Sequence, residues 1–204
     1  MSRYRGPRVR VMRALGVDLP GLSRKTTDRR PYPPGDHGGH KRGRPSVFGI
    51  QLQEKQKLKM NYGLTERQMR INVKKARRSK TNTGTRLLEL LESRLDNVVF
   101  RAGFAPTIPA ARQLVNHGHF LLNGRKTDIA SALIRTGDVI QLREKSQKLQ
   151  VITEALEKPS LETPGWLSFE LSEKTVKVVS EPDAETVPFP VDVQQVIEYY
   201  ASRM

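Results

Sequence analysis

Between Leu87 and Leu142 the spacing of apolar residues switches from the period of a helix to that of a strand, and this switch restricts the fold more than any other feature of the chain. Leu87, Leu88, Leu90, Leu91 and Leu95 make a strongly apolar stretch. Leu95, Val98, Val99 and Ala102 then follow i, i+3, i+4, i+7, and Gly103 is a natural stop. Thr107 as N-cap, with Pro109 in the first turn, opens a second helix whose apolar face is Ala111, Leu114 and Val115 and which ends at Gly118. From His119 to Leu122 the pattern is that of a strand; Asn123-Gly124 is a hairpin-turn dipeptide, Arg125 to Thr127 returns, and Asp138 to Arg143 predicts a further strand. Two helices followed by a small antiparallel sheet make a unit of about sixty residues, which is small but feasible as a fold. Its exposed rim is expected to carry Arg94, Arg101, Arg112, Asn116, His117, His119, Asn123, Arg125 and Lys126.

The flanks read differently. Residues 1–13 set Arg3, Arg5, Arg8, Arg10 and Arg13 among Gly6 and Pro7, with little to bury, which predicts an arm that frays alone and orders on a partner. Pro20 to Pro45 is a long irregular segment rich in Pro, Gly and charge. Gln51 to Tyr62 is free of helix breakers and is stopped by Gly63. Thr65 and Gln68 have capping-box spacing and start a helix in which Met69, Val73 and Ala76 form one face, while Arg67, Arg70, Lys74, Arg77 and Arg78 form the other. Such a stripe repels itself by a few tenths of a kcal/mol per like-charged pair, which points to a compensating anion. Asn82-Thr83-Gly84 is read as the break after it.

After a polar stretch at 144–165, Leu167, Phe169 and Leu171 alternate with Trp166, Ser168 and Glu170, and Thr175 to Val179 can pair with them as a hairpin. Asp192, with Gln195 three positions on, caps a last helix whose apolar face is Val193, Val196, Ile197 and Tyr200. That face needs a dock. The nearest helical candidate is 51–93, which makes the middle of the chain an insertion.

Charge narrows the function. The 204 residues include 36 Lys and Arg against 21 Asp and Glu, for a net charge of +15 and a pI near 10.4. The net charge is +17 over 1–80, +3 over 81–155 and −5 over 156–204. A gradient of this kind suits one end facing a polyanion. With no Cys there is no disulfide scaffold and no thiolate metal site. No run reaches membrane-span length and the first twenty residues lack a signal-peptide core, so a soluble, unprocessed chain without a membrane partner is expected. Aromatic residues, at 6%, are too few for a single-strand stacking platform.

Catalytic and metal patterns are weak. His37 and His40 with Asp36 fall short of a four-ligand site, so no metal or other cofactor is expected. His117 and His119 have no Ser, Cys or carboxylate close in sequence to complete a nucleophile–base pair. Gly118 to Thr127 superficially imitates a phosphate-binding Walker loop, but its glycines are one residue too far apart and Arg125 stands where Lys should. Glu89 and Glu92 have helical spacing and suit support of basic neighbours better than acid–base chemistry. No enzyme emerges from these residues, and an RNA-modifying enzyme would need a catalytic domain that neither flank provides.

Ser93-Arg94-Leu95-Asp96-Asn97-Val98-Val99-Phe100-Arg101-Ala102-Gly103, Ala110-Ala111-Arg112-Gln113-Leu114-Val115-Asn116-His117-Gly118 and Leu122-Asn123-Gly124 together resemble the RNA-binding module named after small-subunit ribosomal protein four. The flanks, including Tyr4-Arg5-Gly6-Pro7, Pro33-Pro34-Gly35-Asp36-His37-Gly38, Tyr62-Gly63-Leu64-Thr65-Glu66 and Glu198-Tyr199-Tyr200, extend the resemblance to that family over essentially the whole chain. The resemblance implies a structural constituent of the small ribosomal subunit. Such a protein binds the five-way junction of the 5′ domain of small-subunit ribosomal RNA early in assembly, touches ribosomal protein five where decoding accuracy is affected, and helps line the messenger RNA entry channel.

Carried onto this chain, it places Lys41, Arg42 and Arg44 toward the messenger, and Arg3, Arg5, Arg8, Arg13, Lys55, Lys57, Lys59 and the stripe from Arg67 to Arg78 on ribosomal RNA. Many relatives hold a four-Cys zinc site near the N-terminus; this chain resembles the Cys-free bacterial and plastid branch, so its N-terminal loop is expected to be fixed by RNA contacts. A cytoplasmic ribosome or plastid stroma is implied, with no stable homo-oligomer, and some relatives also repress their own message.

The fold expected is α+β: a helical domain with an inserted small RNA-binding module of two helices packed on an antiparallel sheet. The expected segments are a basic, largely irregular arm (1–45), a helical domain (46–93) completed by a C-terminal helix (192–202), the module (94–155), and a β-hairpin with its connection (156–191).

Overall fold

Local signals set most element boundaries. The computed structural model describes residues 4–40, 43, 45–170, 172–201 and 203, which form eight α-helices and five strands. They divide into two units, one of residues 1–87 with 188–204 and the other of the inserted residues 88–187. The chain is α+β with an inserted module.

In the first unit, α1 (Arg8–Leu15) buries Met12 and Leu15. The arm is therefore helical from Arg8, because Met12, Leu15 and the buried Leu19 give it a face to hide. α2 (Val47–Asn61) begins a turn before Gln51, with Ser46 Oγ accepting the Gly49 amide hydrogen. Thr65 and Gln68 close the expected reciprocal cap on α3 (Glu66–Arg77). Asn82 caps α4 (Thr83–Glu92) by accepting from the Gly84 and Thr85 amides, which puts Thr83 and Gly84 inside the helix rather than in a break. The division between the units falls within α4.

The terminal helix of this unit is capped by Asp192 and has Val196 and Tyr200 as its buried residues. It packs on α2, with Gln51 Nε2 donating to Glu198 and the Asp192 amide to Glu54. Nearby, Tyr62 and Phe189 rings lie 6.3 Å apart.

The second unit holds α5 (Leu95–Arg101), α6 (Ile108–Asn116), α7 (Gln150–Glu157) and one sheet of β1 (Phe120–Leu122), β2 (Arg125–Thr127), β3 (Val139–Leu142), β4 (Leu167–Glu170) and β5 (Thr175–Val178); the helix at Val193–Ala201 of the first unit is α8. The sheet is antiparallel, in the order β2-β1-β3-β5-β4. Asn123 (φ 50°) and Gly124 (φ 77°) make the tight β1–β2 turn, whose two positive φ angles suit this dipeptide.

The expected second hairpin is not separate. β5 pairs with β3, Ile140 facing Val176, because Ile140, Leu142, Val176 and Val178 continue one buried row. Phe104, just beyond α5, sets its ring 5.5 Å from both Phe120 and Phe169 and so fastens the helical layer to the sheet. Trp166, which precedes β4, is buried as Leu167 is, while Leu171 lies outside the described residues. The polar stretch from 144 contains a 3-10 turn (Glu144–Ser146) and α7, whose Ile152 and Ala155 are buried.

Candidate nucleic-acid interface

α3 separates two chemistries on one cylinder. Met69, Val73 and Ala76 have no exposed surface and Asn72 is buried beside them, whereas Arg67, Arg70, Lys74, Lys75, Arg77 and Arg78 are all exposed. Glu66, the one carboxylate of the helix, is engaged elsewhere: it accepts from Tyr200 at 2.7 Å and Lys55 at 3.0 Å and lies 3.6 Å from Lys59. Burial pushes this carboxyl up. Hydrogen bonds from Tyr200 and Lys55, with the charges of Lys55 and Lys59, outweigh it and hold the group below its ordinary range. The cationic face therefore has no acid of its own to neutralise it. Lys75 and Lys80, both exposed, add to it, although neither falls on the strict helical row that the sequence spacing picks out.

α2 departs from expectation. Lys55 is 4% exposed, paired with Glu66 and stacked 4.9 Å over the Tyr199 ring; Lys57 lies 2.6 Å from Glu54, and Lys59 approaches Glu66. These three lysines serve contacts within the protein, because the carboxylates they need lie beside them once α2 and α3 are packed.

The N-terminal segment is also held from within. Arg13 donates Nε to the Tyr32 carbonyl at 2.9 Å and Nη2 to the Pro33 carbonyl at 3.3 Å, with its guanidinium 4.9 Å from the Tyr32 ring centre. The Gly21 amide donates to Asn61 Oδ1 and the Thr27 amide to Asp18 Oδ1. The loop thus has internal anchors and does not depend on RNA contacts alone for its shape. Arg8 reaches the Leu22 carbonyl at 3.2 Å and remains exposed, as does Arg5. Arg3, Lys41, Arg42 and Arg44 lie outside the described residues.

In the inserted unit the expected exposed rim fails at two positions. Arg94 and Arg101 are 5% and 4% exposed. Arg94 grips Asp96 with Nε at 3.0 Å and Nη2 at 2.8 Å; Arg101 lies 3.4 Å from Glu92 and donates to the Thr186 carbonyl. Asp96 has no exposed surface and also receives Arg112 Nε and Nη2 at 2.8 and 2.6 Å. Asn97 closes the network by donating to Glu92. Buried carboxylates demand such partners, a need that charge counting along a sequence does not reveal. Arg112, with its side chain 24% exposed, is the member of the cluster at the surface.

Asn116, His117, Asn123, Arg125 and Lys126 are exposed, and His119 is half-buried. The Asn123 amide is occupied by the turn, donating to Asp138 Oδ1 and accepting from the Val139 amide, both at 2.8 Å. Arg125, Lys126 and Asn123 border a shallow, open depression with Leu122 and Thr127. His119 Nδ1 lies 2.9 Å from Ser146 Oγ, a contact 27 residues apart that no local signal announces. Ser146 is buried and among the described residues no carboxylate orients the imidazole, so this pair lacks an open nucleophile and the third member of a hydrolytic triad there. Burial, then the neighbouring His117 and Arg143, hold His119 below its ordinary pKa. Among the described residues no group of three His, Cys, Asp or Glu is placed to hold a metal ion, and no helix is long and apolar enough to cross a membrane.

The comparisons agree with this arrangement. Residues 3–92 match the ribosomal protein S4/S9 N-terminal domain and residues 93–140 the S4 domain. The chain is 58% identical to small ribosomal subunit protein uS4 of Methylobacillus flagellatus and 57% identical to protein uS4B of Nitrosomonas europaea, in each case over the full length of both chains. It is 53% identical to uS4 of Synechococcus elongatus, again over both complete lengths. With an exposed cationic helix in one unit, a helix-and-sheet module in the other and end-to-end identity of this order, the chain belongs to the small ribosomal subunit protein uS4 family.

Proposed function

We propose that this protein is a structural, non-catalytic constituent of the small ribosomal subunit that binds ribosomal RNA through folded shape and phosphate contacts. One observation carries the reading: α3 and its C-cap Arg78 present six exposed cations while the helix's own carboxylate is tied down behind them, an arrangement that calls for an external polyanion. Arg5 and Arg8 of the arm supply further phosphate contacts. In the inserted unit Arg112, Asn116, His117, His119, Arg125 and Lys126 form the RNA-facing rim, with Asn123 holding its turn. Double-stranded and junction RNA is read largely by shape and backbone, which suits cations fixed on helices and a hairpin.

The target RNA is the five-way junction of the 5′ domain, bound early so that the body of the subunit can form around it. Contact with ribosomal protein five, a contribution to decoding accuracy, and placement of Lys41, Arg42 and Arg44 at the messenger RNA entry belong to the same reading. The bacterial and cyanobacterial relatives favour a cytoplasmic ribosome.

The test is binding of the full chain to a 5′-domain transcript and to a length-matched unrelated structured RNA across a salt series. A preference for the 5′-domain transcript that persists as salt rises supports the proposal. Equal affinities that collapse together overturn the specific target and leave only general electrostatic attraction.

A further inference from the structure

Four basic side chains converge where α6 hands over to β1, and they do so around a single glycine. Gly118 has φ +70°, a conformation that disfavours any residue with a Cβ. A Cβ here would also collide with Cε of Lys126, whose stem crosses over the glycine. From the other side Arg143 donates Nη1 to the Gly118 carbonyl at 3.0 Å, and its backbone amide donates to the His119 carbonyl at 3.0 Å. His117 and His119 flank the same residue with ring centres 6.0 Å apart and planes inclined by 60°. The backbone conformation and the missing side chain together bring an ammonium group, a guanidinium and two imidazoles to one corner.

We propose that this corner is a phosphate-binding site that takes up a proton when an RNA phosphate occupies it, His119 being the group that receives it. The inference rests on the RNA-binding reading above and adds a pH linkage to it.

Every element packed here contributes to the balance. α6 brings His117; β2 brings Lys126; the end of β3 brings Arg143; the following 3-10 turn brings Glu144, Lys145 and the Ser146 hydroxyl on His119 Nδ1. Glu144 is exposed and forms no ion pair with either imidazole. Without ligand, partial burial opposes a proton on the His119 ring, and the neighbouring His117 and Arg143 oppose it as well. A phosphate reverses that sign. Imidazole is the side chain for which such a reversal falls near neutral pH, and one positive charge added beside a bound anion strengthens its retention. The added affinity is fully present below the pKa of the free protein and is lost as pH rises through the higher pKa of the complex.

The experiment measures the affinity of the full chain for the 5′-domain transcript at fixed salt between pH 5.5 and 8.0. It compares the wild type with His119→Gln, with folding checked by circular dichroism, and follows the His119 imidazole of the wild type by nuclear magnetic resonance with and without the transcript. The expected result is a wild-type affinity that falls by about three- to tenfold over this range and a nearly flat profile for the variant. A variant that keeps the wild-type pH dependence overturns the proposal, as does a wild type with none. If the variant does not fold, the imidazole signal decides: a His119 titration midpoint that does not rise when the transcript is bound overturns the proposal. Failure of the underlying reading looks different, because the wild type would then bind the 5′-domain transcript no better than an unrelated structured RNA at any pH.

Discussion

Tyr200 donates its hydroxyl hydrogen to Glu66 at 2.7 Å, joining the last helix to the first residue of α3 across 134 positions of sequence. The carboxylate's other oxygen receives Lys55 at 3.0 Å, so one side chain gathers contacts from α2, α3 and α8. The same bond that helps hold Glu66 below its ordinary range combines with burial to push the Tyr200 phenol far up. Tyr200, only 1% exposed, thus keeps its proton where a free phenol would lose it.

Replacement Tyr200→Phe leaves the ring and removes this bond. A loss of about 1 kcal/mol in unfolding free energy is expected from urea titration at pH 7. The acid side should change too. Stability from a carboxylate with a lowered pKa is present above the unfolded-state value and disappears as pH falls through the folded one, and without the Tyr200 donor that decline begins at higher pH. At the other end, stability from the raised phenol is complete below about pH 10 and is lost as pH climbs above it, a loss the Phe variant does not show.

Arg70, Lys74 and Arg77 project from the exposed side of α3. Changing all three to Gln is expected to reduce the slope of log affinity for RNA against log salt by roughly two to three units, at about 0.7–0.9 per lost phosphate contact. The far-ultraviolet circular dichroism spectrum should be unchanged, since the apolar rear of the helix is intact. A retained slope would remove α3 from the interface.

Lys55→Gln should do the reverse. The side chain is buried against Glu66 and the Tyr199 ring, so its loss weakens folding of the helical unit and leaves the salt slope of RNA binding as it was. Denaturant titration and the binding series on the same preparation separate the two effects.

Asp96→Asn strips the charge from a carboxylate with no exposed surface that serves Arg94 and Arg112 together. Breaking a buried pair of this type costs about 3–5 kcal/mol, and hydrogen exchange should show the amides of β1 and β2 losing protection in the inserted unit.

What could be read from the sequence were the features whose cause is local. Thr65 with Gln68, Asn123 with Gly124, and Thr107 with Pro109 each determine a cap or a turn from residues within reach of one another, and each forms as expected. The apolar stripe of α8 announced that it needed a dock, and α2 provides it. The direction of individual cations was not legible. Lys55 and Arg70 look alike in sequence, and only the packing of α2 beside α3 turns one toward Glu66 and leaves the other outside. Arg94 and Arg101 were assigned to a rim by charge type, although the nearby Asp96 and Glu92 require exactly such partners once buried. The pairing of β3 with β5 and the meeting of His119 with Ser146 span tens of residues and depend on how the whole inserted unit closes.

The division of the helical unit by an insertion has a consequence for how the protein is made. Translation delivers every residue of the inserted unit before Phe189, Val196 and Tyr200, which complete the core of the helical one. The nascent insert has all its strands while α2 still lacks the helix that covers it, so the earliest-synthesised half of the protein finishes folding last. A polypeptide released before residue 188 would keep the insert's full sequence and leave the packed side of α2 bare, exposed to chaperones and proteases. Residues 188–204 in effect let the helical unit register that translation has passed the whole insert.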